Sequence, residues 1–270
     1  MNPIWLIMKI TFKEGIRSRV LFGITILAVL LFASNVVITN LFSLEVGKVM
    51  IDMAFAALSL AGLSIIFFLG ISLLSQDIHN KTVYMIVSRP VTRGQYVVGK
   101  FGGIALLLLV AMVILGALAL LSFVIGSALL QGSGLPRNFS WFTLLATLCF
   151  HFLSLLVVLS FTFFFTIISS SMYLAMLFSF CVYFIGNSIE TIVKVLIKGE
   201  FIETSSSYVA LMKGISWLFP NLSAFDLKAN LAYGLPHNPI SLVWTGLYGC
   251  AYVFLMVMFT LMVFKQKDIC

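Results

Sequence analysis

Three sets of residues in this chain have types and spacings that invite a chemical reading. Gly94-Gln-Tyr-Val-Val-Gly-Lys100 matches the G-x-x-x-x-G-K pattern of a phosphate-binding loop. That chemistry needs Ser or Thr at the next position to hold magnesium, and Phe101 stands there. It also needs a preceding strand and a nest of backbone donors, whereas these residues run straight into an apolar stretch. The match is read as coincidence. Cys149, His151 and Cys181 could be imagined as a soft metal site, but residues i and i+2 on a helix point apart. The expectation is no metal site, with the internal cysteines, Cys250 included, as small buried hydrophobes. Cys270 lacks the three following residues that prenylation requires. His151 is an ionisable residue within an apolar run, which makes it a pathway candidate. The alternative is a neutral imidazole bonded to a neighbouring helix. The third set is the charged connection between Ser75 and Lys100, taken up below.

Composition says which elements must carry these residues. Charged side chains are 9% of the 270 residues and hydrophobic ones 61%, against roughly 25% charged in an ordinary soluble domain. So few charges cannot cover a water-facing surface, whereas lipid accepts an apolar one. The net charge is +7. The cations flank apolar runs rather than forming a basic and aromatic stripe, so they are read as orientation signals, with no nucleic-acid partner.

Crossing the hydrocarbon core takes about 20 apolar residues in a helix. Six such stretches are expected, at 20–39, 53–75, 101–130, 139–168, 172–189 and 239–264. The uncharged run from Asn138 to Ile189 is twice the length of one span and must hold two, with Ser169-Ser170-Ser171 as the turn. The expected fold class is therefore an all-α membrane protein, one membrane domain over 1–270. Placing the N-terminus inside puts Lys9, Lys13, Arg17, Arg19, Lys81, Arg89, Arg93, Lys100, Lys265 and Lys267 on one side. Lys48, Arg137, Lys194, Lys198, Lys213 and Lys228 fall on the other. The richer side is the cytoplasmic one, so both termini are expected in the cytoplasm. The first span is read as retained rather than as a cleaved signal, because no A-x-A site follows it.

Residues 1–19 read as an interfacial elbow helix. Pro3 suits its first turn. Trp5, Met8, Phe12 and Ile16 form one stripe, with Lys9, Lys13 and Arg17 beside it. Residues 190–238 read as short extracytoplasmic helices. Ile189, Ile192, Val193 and Leu196 make an apolar face ending at Gly199. Ser223 and Asp226 fit a capping box for a helix ending near Gly234. Gly99, Gly102 and Gly103, and likewise Gly62 and Gly70, offer faces for close helix approach.

The sizeable cytoplasmic connection is 76–100. Thr92 and Gln95 fit a capping box opening the third spanning helix, Pro90 fixes a turn before it, and Asn80 to Val87 has the length of a short surface helix. A rigid charged knob of this kind can receive force from a soluble partner. Asp77, Thr82, Ser88-Arg89-Pro90-Val91, Arg93, Tyr96 and Gly99-Lys100 resemble the motif of type-2 ATP-binding-cassette (ABC) exporter permeases. The layout of elbow, six spans and helical outer segment is similar too, as is the tail Phe264-Lys-Gln-Lys-Asp268. The chain departs from the family at Asp77, where Glu is usual, and at Lys81, where Gly is usual. Its length and outer segment are similar to permeases that serve nitrous-oxide reductase maturation.

The resemblance implies a coupling helix seated on a separate ABC ATPase subunit, with Asp77, Asn80, Thr82, Tyr84, Ser88, Arg89, Pro90 and Arg93 as coupling residues. It implies a second permease copy, most simply a homodimer in a 2+2 complex, in contact with membrane lipids. It implies a bacterial or archaeal cytoplasmic membrane, and no cofactor in this chain, with ATP and Mg held by the partner. On this view the chain is a non-catalytic subunit of an exporter, or of a complex that signals mechanically across the membrane. Two other classes stand beside it. A secondary transporter would couple to ions through intramembrane charges, for which only His151 qualifies. An intramembrane lipid-modifying enzyme would need paired acids that the spans lack.

Overall fold

The computed structural model describes residues 3–39, 46–79, 92–129, 141–169, 171–198, 214, 219–233 and 239–266. The regular elements among them are all helical. In chain order they are α1 (Pro3–Arg17), α2 (Arg19–Thr39), α3 (Val46–Ser64), a π turn (Ile65–Gly70), α4 (Ile71–His79) and α5 (Arg93–Leu129). Then come α6 (Trp141–Ile168), α7 (Met172–Lys198), a 3-10 turn (Leu222–Phe225), α8 (Lys228–Tyr233) and α9 (Pro239–Gln266). Five helical stretches are long and apolar enough to cross a membrane, and the pair α1 and α2, bent by 61°, makes a sixth. The molecule is an all-α, multi-pass membrane protein.

The hub is α6. It packs against α9, α7, α5, α4 and the π turn, and Leu155, Val157, Val158, Leu159, Phe163 and Ile167 are buried in it. Four hydroxyls along this apolar helix turn back onto their own backbone. Thr147 donates to Thr143 O, Ser160 to Val157 O, Thr162 to Val158 O and Thr166 to Thr162 O, all at 2.7–2.9 Å. Away from water a hydroxyl without an acceptor is costly, and these find one locally. Small residues let the second span close on the hub: Gly62 faces Leu155 and Gly70 faces Leu159.

α3, the π turn and α4 form one continuous rod over 46–79, longer than the apolar run of 53–75 because nothing in its flanks breaks a helix. For the same reason α7 runs through Ser188 to Lys198 without interruption. The separate outer helix expected after Ile189 is the end of that span.

Two groups of apolar residues turn outward. α1 buries Ile7, Thr11 and Gly15, while Trp5 and Ile16 of its apolar stripe are exposed. α1 lies on α5 where Gly99, Gly102 and Gly103 bring the two backbones close. A Cβ at Gly99 would meet Ile7 at 2.8 Å, and one at Gly103 would meet Met8 O at 2.9 Å. So tight a seam selects compact side chains over large ones. The cysteines are the other case. Cys149, Cys181 and Cys250 are exposed on the outside of the bundle rather than buried, where a membrane would cover them.

Residues 219–233 close the end of the bundle where α7 leaves it and α9 enters. Leu222 seats on Gly186, and Phe225 on Gly249. Asn221 N donates to Tyr248 Oη at 2.9 Å. The box expected from Ser223 and Asp226 does not form: Ser223 Oγ donates to Asn187 O at 2.6 Å. Asp226 Oδ1 instead accepts from Lys228 N at 3.1 Å, opening α8. Ser223 lies inside the 3-10 turn, five residues ahead of α8, so it is not placed to cap that helix.

Candidate functional site

The connection expected to carry function leaves the bundle after α4 and re-enters it at α5. Asn80, Thr82, Tyr84, Ser88, Arg89 and Pro90 lie outside the described residues. Asp77 and Arg93, one on each side, lie within them and show how the connection is rooted.

α5 opens with the capping box its sequence specifies. Thr92 N donates to Gln95 Oε1 at 3.0 Å, and Gln95 N donates to Thr92 Oγ1 at 3.3 Å. Two backbone donors of the first turn are thereby satisfied. This fixes where the helix begins and so which residues face α4. Tyr96 and Lys100, four apart, share a face, and both point at Asp77.

Tyr96 is fully buried and its Oη donates to Asp77 Oδ2 at 2.5 Å. Lys100, 4% exposed, places Nζ 2.6 Å from the same oxygen. It also reaches Leu73 O at 3.4 Å and stands 3.7 Å from Glu14 Oε2 on α1. A buried ammonium without an anion would be strongly unfavourable, and Asp77 supplies the anion. One carboxylate thus clamps the end of α4 to the start of α5 and, through Lys100 and Glu14, to α1.

The clamp extends to the far end of the chain. The Tyr96 ring stacks near Phe264 of α9, with centroids 6.3 Å apart and planes 21° apart. Arg93 Nη1 donates to Lys265 O at 3.3 Å, a favourable placement for a cation at a helix C-terminus. Four helices therefore meet where the connection begins and ends. The sequence comparison had already placed Tyr96 and Lys100 in the motif, but as matches without a role. Their spacing on one helical face opposite Asp77 was the available signal.

His151 does not join this site. It lies in α6 against α3, with Nε2 3.4 Å from Ser59 Oγ and its ring edge-on to Phe55, centroids 5.8 Å apart. Ser59 Oγ donates to Phe55 O at 2.8 Å, so it is placed to accept from an Nε2–H. Among the described residues no three His, Cys, Asp or Glu side chains converge as metal ligands would.

A helical membrane bundle whose charged connection is anchored by an ion pair on four helices has the form of a transporter's membrane subunit. The chain belongs to the ABC-2 family: the family model described as "ABC-2 family transporter protein" matches residues 5–269, nearly its whole length. It is an ABC-2 type permease. Such permeases are generally the non-catalytic membrane subunits of ABC transporters, and membership implies an ABC ATPase partner. No curated protein matches the chain.

Proposed function

We propose that this permease converts ATP hydrolysis on a separate ATPase subunit into export, or into a mechanical signal, across a prokaryotic cytoplasmic membrane. In this reading two copies pair, both termini are cytoplasmic, and 80–91 seats on the ATPase. Asn80, Thr82, Tyr84, Ser88, Arg89, Pro90 and Arg93 form the docking surface, while Asp77 holds the surface to the bundle. No cofactor binds this chain, and nucleotide and magnesium stay with the ATPase.

The observation that carries the reading is the clamp of Asp77 by Tyr96 and Lys100. A connection anchored by charge-assisted bonds to α4, α5 and α1 passes a push to several helices at once; a loosely tethered loop would absorb it. The motif in 77–100 and the family membership agree with this reading.

Co-purification of the ATPase with the permease tests it. Arg89→Glu and Arg93→Glu are expected to weaken the association, and deletion of 80–87 to abolish it. Undiminished association after that deletion would overturn the docking role.

A further inference from the structure

The bend between α1 and α2 encloses a cleft of about 770 Å³ that the coupling reading does not use. Its volume lies in the range of small-molecule sites. Its floor is formed by the second span and the start of α5. The lining divides by chemistry. Ile10, Val20 and Phe68 are its apolar members, and Lys13, Arg17 and Gln76 are polar ones.

The charges are unequal in availability. Asp77 and Lys100 also line the cleft but bind each other. Glu14 lies 3.7 Å from Lys100. Lys13 and Arg17 have no ion-pair partner among the described residues. Counting Lys13, Arg17 and Lys100 against Glu14 and Asp77, the cleft is net positive. Lys13 and Arg17 are spaced i, i+4, so both cations reach the same point. Thr11, in the same lining, is 1% exposed. Its Oγ1 has no hydrogen-bond partner among the described residues.

Depth identifies the occupant. The apolar runs of the first three spans stop at Arg19, Asp77 and Lys100, so the cleft sits where hydrocarbon gives way to headgroups. A site there whose lining joins cations to apolar side chains matches an amphiphile with an anionic head.

We propose that this cleft holds an anionic phospholipid, with its phosphate between Lys13 and Arg17 and an acyl chain along Ile10, Val20 and Phe68. The lipid fills the inside of the bend and holds α1 at its angle. The proposal does not depend on where the ATPase docks.

The test reconstitutes the full chain in phosphatidylcholine vesicles carrying a trace of photoactivatable phosphatidylglycerol or, separately, photoactivatable phosphatidylcholine. Labelled peptides are then mapped by mass spectrometry. The phosphatidylglycerol probe is expected to label 7–20 preferentially. Labelling should fall about fivefold for each charge lost in Lys13→Gln and in Lys13→Gln/Arg17→Gln. Lys9→Gln, on the same helix outside the cleft, should leave it unchanged. Equal labelling by phosphatidylcholine, or an equal drop with Lys9→Gln, would overturn the proposal. So would displacement by millimolar inorganic phosphate, which would make the site one for free phosphate. The single variant Lys13→Gln keeps the test valid if the double variant inserts poorly.

Discussion

Lys100 Nζ lies 2.6 Å from Asp77 Oδ2, and the two residues stand on opposite sides of the connection 80–91. The bond therefore closes that connection at its base. The Lys100 side chain is 5% exposed and that of Asp77 16%, so bulk water screens the pair little. Replacing Asp77 by Ala leaves the buried Lys100 with only the more distant and exposed Glu14 as counter-charge and is expected to cost roughly 3 kcal/mol. Asp77→Leu/Lys100→Met removes both charges and should cost markedly less. Thermal unfolding of the singles and the double in detergent reads the difference. A loss in the double variant equal to the sum of the two single losses would show that the pair is not coupled.

The seam between α1 and α5 makes a second prediction. Gly103→Ala puts a methyl 2.9 Å from the Met8 carbonyl oxygen, backbone that cannot rotate away, and is expected to cost about 1–3 kcal/mol. Gly23→Ala, where a Cβ meets nothing within 4 Å, should be neutral or stabilising by up to about 1 kcal/mol. Melting temperatures of the two variants, measured side by side, check the contrast.

Ser59→Ala removes the acceptor that faces His151. A loss of roughly 1 kcal/mol in stability is expected, with ATP-driven activity retained. His151→Gln should behave similarly, since an amide can still donate toward Ser59. Activity lost at full stability would return His151 to the transport path.

In the segment 219–233, Phe225 is 2% exposed and wedged on Gly249. Phe225→Ala is expected to cost about 3–5 kcal/mol and to loosen 219–233. Faster proteolysis of that segment, with the spanning helices intact, would register the loosening.

Some of this was legible in the sequence because a single local rule decided it. Apolar runs ending at Asp77 or Lys265 mark spans, since lipid tolerates no stray charge. Thr92 and Gln95 state where α5 begins because a capping box needs only its own four residues. What was not legible depended on distant partners. The face that α1 turns to the protein, Ile7, Thr11 and Gly15, is set by the glycines of α5 and has no mark of its own in the sequence. Ser223 matched a cap by spacing but is claimed by the Asn187 carbonyl, from another helix. The joint role of Tyr96, Lys100 and Asp77 appears only once α4 and α5 are side by side. Ile65–Gly70, a run of ordinary helix formers ending in Gly, carries no mark that its winding will be π.

That wider turn has a mechanical meaning. The second spanning rod runs over 46–79, with Ile65–Gly70 part-way along it and Asp77 near its charged end. A π turn has a looser hydrogen-bond ladder than the α-helix around it, so stiffness along the rod is uneven. A twist applied at Asp77 concentrates its strain at those six residues, as in a shaft with one softened collar.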